Sequence, residues 1–142
     1  MRIEKTNYET SLVDINNIRY LLFRNLYGNT AFIQSLTEII TRNIDCLGID
    51  YSASEYTFTI RIKKTTMRKM YGFYHDPNFY YSIIPNIFKE FIETHEPIII
   101  SILREKYADP FNIIQKLYMD HYTLSNLCHV SCISDNILVI KL

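Results

Sequence analysis

The sequence contains no tryptophan, three glycines, three alanines and three cysteines in 142 residues. Three isolated glycines cannot build a phosphate-cradling loop, which needs neighbouring backbone N–H groups that converge on one anion. Cys46, Cys128 and Cys132 are odd in number and irregular in spacing, so they form no disulfide framework. A chain of this length folds without one, and reduced thiols in a cytoplasmic setting are expected. Net charge is absent too: 15 Lys plus Arg balance 15 Asp plus Glu. Proteins that coat nucleic acid or acidic membrane are usually more lopsided. No apolar run approaches the roughly 20 residues of a membrane span. Met1 to Asp14 carries Arg2, Glu4, Lys5 and Glu9 and no apolar block, unlike a signal peptide. With no repeat, low-complexity tract or Pro/Gly/Ser linker, one domain over 1–142 is expected, with a flexible start at 1–14.

What is present is a core. Hydrophobic residues make up 48% and charged residues 21%, the balance of a folded domain rather than a disordered tail. Isoleucine occurs 23 times and asparagine 11 times. Both are favoured by AT-rich codons, which points to an AT-rich bacterium or a large DNA virus.

Hydrophobic periodicity then divides the chain. Phe32, Ile33, Leu36, Ile39 and Ile40 form one stripe of a helix over Thr30 to Asn43, with Asn29 or Thr30 as cap. A shorter helix is expected over Ile15 to Leu26. Tyr56, Phe58, Ile60 and Ile62 alternate with Thr57, Thr59, Arg61 and Lys63, which predicts a half-buried strand. Lys64 to Asn78 has no clear period and reads as a loop. Ile83, Ile84, Ile87, Phe88, Phe91 and Ile92 give the strongest helix, over Phe79 to Thr94, with Ser82 as a cap and Pro85 in the first turn. Ile98 to Leu103 follows Pro97. It is short and β-branched and reads as a central strand covered on both faces. Asp109-Pro110 opens another helix, with Phe111, Ile114, Leu117, Tyr118 and Tyr122 as its stripe. Leu127 to Ile133 and Ile137 to Leu142 flank Ser134-Asp135-Asn136 as a hairpin. The expected class is α+β: a mixed sheet of about four strands with a C-terminal β-hairpin, packed by three to four helices.

Few residues carry recognisable chemistry. On a strand, Cys128 and Cys132 lie about 13 Å apart, too far to share one zinc ion with His129, so small apolar residues on a sheet face is the preferred reading and no metal is expected. His75, His95 and His121 are scattered, and no nucleophile motif accompanies them. No catalytic residue and no cofactor are expected. Arg61, Lys63, Lys64, Arg68 and Lys69 form a basic stretch followed by aromatics, as in single-strand nucleic-acid binders. The alternative is a solvated strand edge, which zero net charge favours. Tyr71, Phe73, Tyr74, Phe79, Tyr80 and Tyr81 put six aromatics in eleven residues. They line either a pocket or an interface, or else pin a loop to the core. The expected pocket uses Tyr71, Phe73, Tyr74 and Phe79, with Tyr118 and Tyr122 as polar tips.

One family shares parts of this pattern. Thr30-Ala31-Phe32 opens the first long helix, Leu36 and Ile39 take its buried positions, and Thr41-Arg42 stands near its end. A strand, a long helix, a strand, a helix and a hairpin follow. The hairpin carries Val130-Ser131-Cys132 and closes in Asn136-Ile137-Leu138-Val139-Ile140. This order resembles the N-terminal regulatory domain of AraC-type transcription activators of the ornithine-utilisation regulator kind. Ala31 stands in place of that family's threonine, its Arg-Tyr pair is missing, and Cys132 replaces an aromatic. The resemblance implies a small-molecule-sensing or dimerising domain, and the expected function is non-enzymatic: binding of a small apolar or amphipathic effector or a protein partner, as a homodimer, to influence transcription. The family's helix-turn-helix would follow the hairpin, beyond Leu142, so direct DNA binding is not implied for this chain. A host-interaction protein of a virus or pathogen, acting by protein–protein binding, is the alternative.

Overall fold

Two helices begin at side-chain caps, Asn29 and Asp109. The computed structural model describes residues 17–23, 29–66, 83–120, 124–134 and 136–142. Helix α1 spans Thr30–Asn43, and the Asn29 side chain accepts a hydrogen bond from the Ala31 N–H at 3.0 Å. That bond satisfies one of the donors a helix start leaves open. Phe32, Leu36, Ile39 and Ile40 are buried along the expected stripe. Before α1, residues 17–23 are helical and bury Ile18, Leu21, Leu22 and Phe23. Arg19 ties this segment to the chain end, donating to the Leu142 carbonyl at 2.9 Å.

Strands β1 (Gly48–Ser52), β2 (Thr57–Arg61), β3 (His129–Ser134) and β4 (Ile137–Lys141) make one sheet in the order β1-β2-β4-β3. The α+β class, the count of four strands and the C-terminal hairpin are as expected, although β1 is a strand that the residue pattern does not predict. The sheet, expected to be mixed, is antiparallel at every pairing. Phe58 pairs with Ile140 and Ile60 with Leu138, so alternate residues of both central strands face one side. That side joins the helices' apolar stripes in a continuous core. Tyr56, expected to begin the second strand's buried set, instead ends the β1–β2 turn with φ 55 and is 38% exposed. A left-handed residue leaves the extended backbone that alternation needs, and the alternation starts only at Phe58. Thr57, expected in water, is buried.

Three helices follow: α2 (Ile84–Thr94), α3 (Glu96–Leu103) and α4 (Pro110–Met119). Helix α2 carries Pro85 in its first turn and buries Ile84, Ile87, Phe88, Phe91 and Ile92. Ser82 lies outside the described residues. Helix α2 packs beside α1, where Phe91 meets Phe32 edge-on at 6.5 Å and Arg42 pairs with Glu90.

Helix α3 overturns the expected central strand. Ile98 to Leu103 is helical, with Ile99, Ile102 and Leu103 buried and Ile98 48% exposed. Pro97 ends the possibility of continuing α2 and also sits in the first turn of α3, where its missing N–H costs nothing. Glu96 in that turn complements the helix dipole. These start signals outweigh the modest β preference of isoleucine. The stripe of α4 is also rotated from the expected one. Asp109 caps it, accepting from the Asn112 N–H at 3.1 Å, and Pro110, Ile113, Ile114 and Leu117 turn inward. Phe111 is left 55% exposed. No described helix is long and apolar enough to cross a membrane.

Candidate functional site

The expected aromatic pocket rests on Tyr71, Phe73, Tyr74, Phe79 and Tyr122, all of which lie outside the described residues, as do Arg68 and Lys69. Tyr118 is described. It sits half-buried on α4 and donates its hydroxyl to Glu96 Oε2 at 3.1 Å. Burial, then the hydrogen bond to that carboxylate, pushes its phenol well above the ordinary tyrosine range. Tyr118 therefore joins α4 to the start of α3. Arg61, Lys63 and Lys64 are exposed. The Arg61 guanidinium lies across Gly48 on the paired strand, and a Cβ there would have to displace it.

Cys128 precedes β3 and is buried. Burial pushes its thiol up to about 12, with the positive charge of Arg19 opposing that shift. It is a protonated, apolar filler at neutral pH rather than a thiolate. Among the described residues, no three His, Cys, Asp or Glu side chains converge as a metal site.

The described surface does hold a groove that sequence reasoning missed. It is open, about 610 Å³ in volume, and follows α3. Helix α3 supplies Glu96, Pro97, Ile100 and Ser101, with Arg104 at its C-terminal cap. Glu93 comes from the end of α2 and Phe111 from the first turn of α4. Glu96, Ile100 and Arg104 are four residues apart and so lie along one ridge, about 12 Å from end to end. The groove thus has carboxylates at one end, a guanidinium at the other and an apolar floor of Pro97, Ile100 and Phe111. Arg104 stands 5.9 Å from the centre of the Phe111 ring, a cation–π contact that holds the charge at the rim. The only sequence signal was the charged pair flanking an apolar run, which points to a groove only once that run is helical.

His95 fixes the corner from which the groove begins. It separates α2 from α3, its Nε2 lies 2.8 Å from Ser35 Oγ on α1, and its ring packs 4.7 Å from Phe32 and 4.8 Å from Phe91. Burial lowers its pKa below the free value of 6.5. The folded protein therefore binds this proton less readily than the unfolded chain, and the stability present above pH 6.5 is lost as pH falls below it. We expect urea midpoints to decline from pH 7 to pH 5, and the decline to be shallower in His95→Asn, even though that variant starts lower. Equal slopes in the two proteins would place the titrating group elsewhere.

Comparisons with protein-family models, with curated proteins and with solved structures give no match to this chain.

Proposed function

We propose that this chain is a regulatory domain that works by binding rather than by catalysis, and that its binding surface is the groove between α3 and α4. The observation that supports this most directly is the pairing of an exposed apolar floor with fixed opposite charges at its two ends. Apolar area supplies affinity, and rim charges supply orientation and suppress wrong partners. The groove is too open to enclose a small molecule, since binding pockets usually bury most of a ligand's surface. A polypeptide surface fits it better. The resemblance to AraC-type regulatory domains supports an influence on transcription as the outcome of that binding.

The test is photocrosslinking in the cells that express the protein. A photoreactive phenylalanine analogue placed at Ile100 should give a discrete polypeptide adduct. The same group at Gln115, exposed on α4 and outside the groove, should give none. Absence of an adduct at Ile100, or equal adducts at both positions, would sink the proposal.

A further inference from the structure

We infer that the occupant of the groove is a second copy of this chain, related by a twofold axis that passes by Ile100. This rests on the reading of the groove as an interaction surface. The ridge Glu96, Ile100, Arg104 is antisymmetric in charge about its midpoint: an acid four residues before Ile100 and a base four residues after it. A twofold axis at Ile100 turns one α3 antiparallel to the other. Each Glu96 then faces the other chain's Arg104, both pairs form at once, and Ile100 meets Ile100. A twofold contact demands such self-complementarity, because the same patch serves both sides. Few unrelated partners would need this arrangement, whereas a copy of the chain provides it automatically.

Three further features agree. Residues four apart make the ridge that interdigitates when two helices pack by their commonest mode. Antiparallel pairing sets the positive N-terminal end of one α3 beside the negative C-terminal end of the other. The ring of Phe111, exposed at the groove's edge under Arg104, adds apolar area beside each ion pair. An eight-residue helix is a small contact, so the dimer is weak and rapidly exchanging.

Charge exchange tests this on the whole chain. Wild-type protein should self-associate in sedimentation equilibrium at concentrations up to about 0.5 mM. Glu96→Arg and Arg104→Glu should each weaken association by about tenfold or more, since each places like charges at both pairs. An equimolar mixture of the two variants should form a heterodimer, and the variant carrying both exchanges should again self-associate. A wild type that stays monomeric overturns the inference, as do single exchanges without effect or a mixture that fails to associate. A second variant does not depend on the charges. Ile100→Cys should yield a disulfide-linked dimer with oxidised glutathione, and Ile98→Cys on the other face of α3 should not. Equal yields from the two overturn the axis. The crosslinking experiment separates the two ideas: an adduct at Ile100 with a different polypeptide ends the twofold inference and leaves the binding surface standing, whereas no adduct ends both.

Discussion

Replacing Phe88 with alanine is expected to lower the unfolding free energy by about 3–5 kcal/mol. Phe88 lies at the middle of α2 and is 1% exposed. Its ring meets Phe23 nearly perpendicular, with centroids 6.2 Å apart. Such edge-on pairs add roughly 0.5–1.5 kcal/mol beyond the area they bury. Ile84, Ile87, Phe91 and Ile92 hold the same face of α2 against the core, so the surroundings cannot collapse into the space the ring leaves. The loss falls twice, because Phe23 belongs to the helical segment 17–23, which is joined to the domain through buried apolar side chains and the Arg19 bond to Leu142. A domain with about 5–15 kcal/mol in total has little left after that change. Urea unfolding followed by far-ultraviolet circular dichroism checks it: the midpoint should drop with the denaturant slope unchanged. Phe88→Leu, which keeps most of the volume, should cost under about 1.5 kcal/mol. A drop under about 1 kcal/mol for Phe88→Ala would mean that the ring does not sit in the core.

The core position of Phe88 is legible in the residue pattern because its helix repeats apolar residues over several turns. The same holds for Asn29 and Asp109, whose short oxygen side chains stand immediately before apolar stripes. It holds for Phe58, Ile60 and Ile62, whose alternation survives in the sheet. Strand β1 was not legible, for a reason of length. Gly48–Ser52 offers one period of alternation, Ile49 and Tyr51 inward with Asp50 outward, and two apolar residues cannot establish a period. Tyr51 packs against the Phe58 ring 4.7 Å away on the paired strand, a contact that exists only once the two strands are in register. Phe111 was misplaced because Phe111, Ile114 and Leu117 fit a helical stripe as well as Pro110, Ile113, Ile114 and Leu117 do. Packing against α3 decided between the two.

The groove shows how one local assignment controls a functional reading. If the segment after Pro97 were extended, Glu96 and Arg104 would lie about 26 Å apart, with no common surface. Wound as a helix, the same residues are about 12 Å apart and enclose Ile100 between them. Phe111 reaches the groove only through the turn that brings α4 back beside α3. Nothing in the residue pattern alone signals that return. The aromatic run from Tyr71 to Tyr81, conspicuous by composition, lies outside the described residues. The described groove is built from ordinary residues placed together by two helix starts, Glu96-Pro97 and Asp109-Pro110.

The helical state of α3 can be tested directly with adjacent residues. Ile99→Asp is expected to cost about 4 kcal/mol or more, whereas Ile98→Asp should change stability by no more than about 0.5 kcal/mol. Ile99 is 0% exposed and Ile98 is 48% exposed. A carboxylate at Ile99 would lose its hydration among Ile102, Leu103 and the rest of the core without gaining a cation, and would leave the volume of the lost side chain unfilled. At Ile98 the carboxylate stays in water. The comparison is controlled by position: both residues lie near the start of α3, so each acid gains a similar benefit from the helix dipole and loses similar helix propensity. A strand covered on both faces gives another result, since consecutive residues point to opposite, equally buried sides and both substitutions would be severe. The measurement is the pair of urea midpoints at pH 7, where both new carboxylates would be ionised in the unfolded chain. A large loss at Ile99 with near-neutrality at Ile98 supports the helix, and with it the single ridge on which Glu96, Ile100 and Arg104 meet. Equal, large losses would return the segment to the sheet and remove the groove.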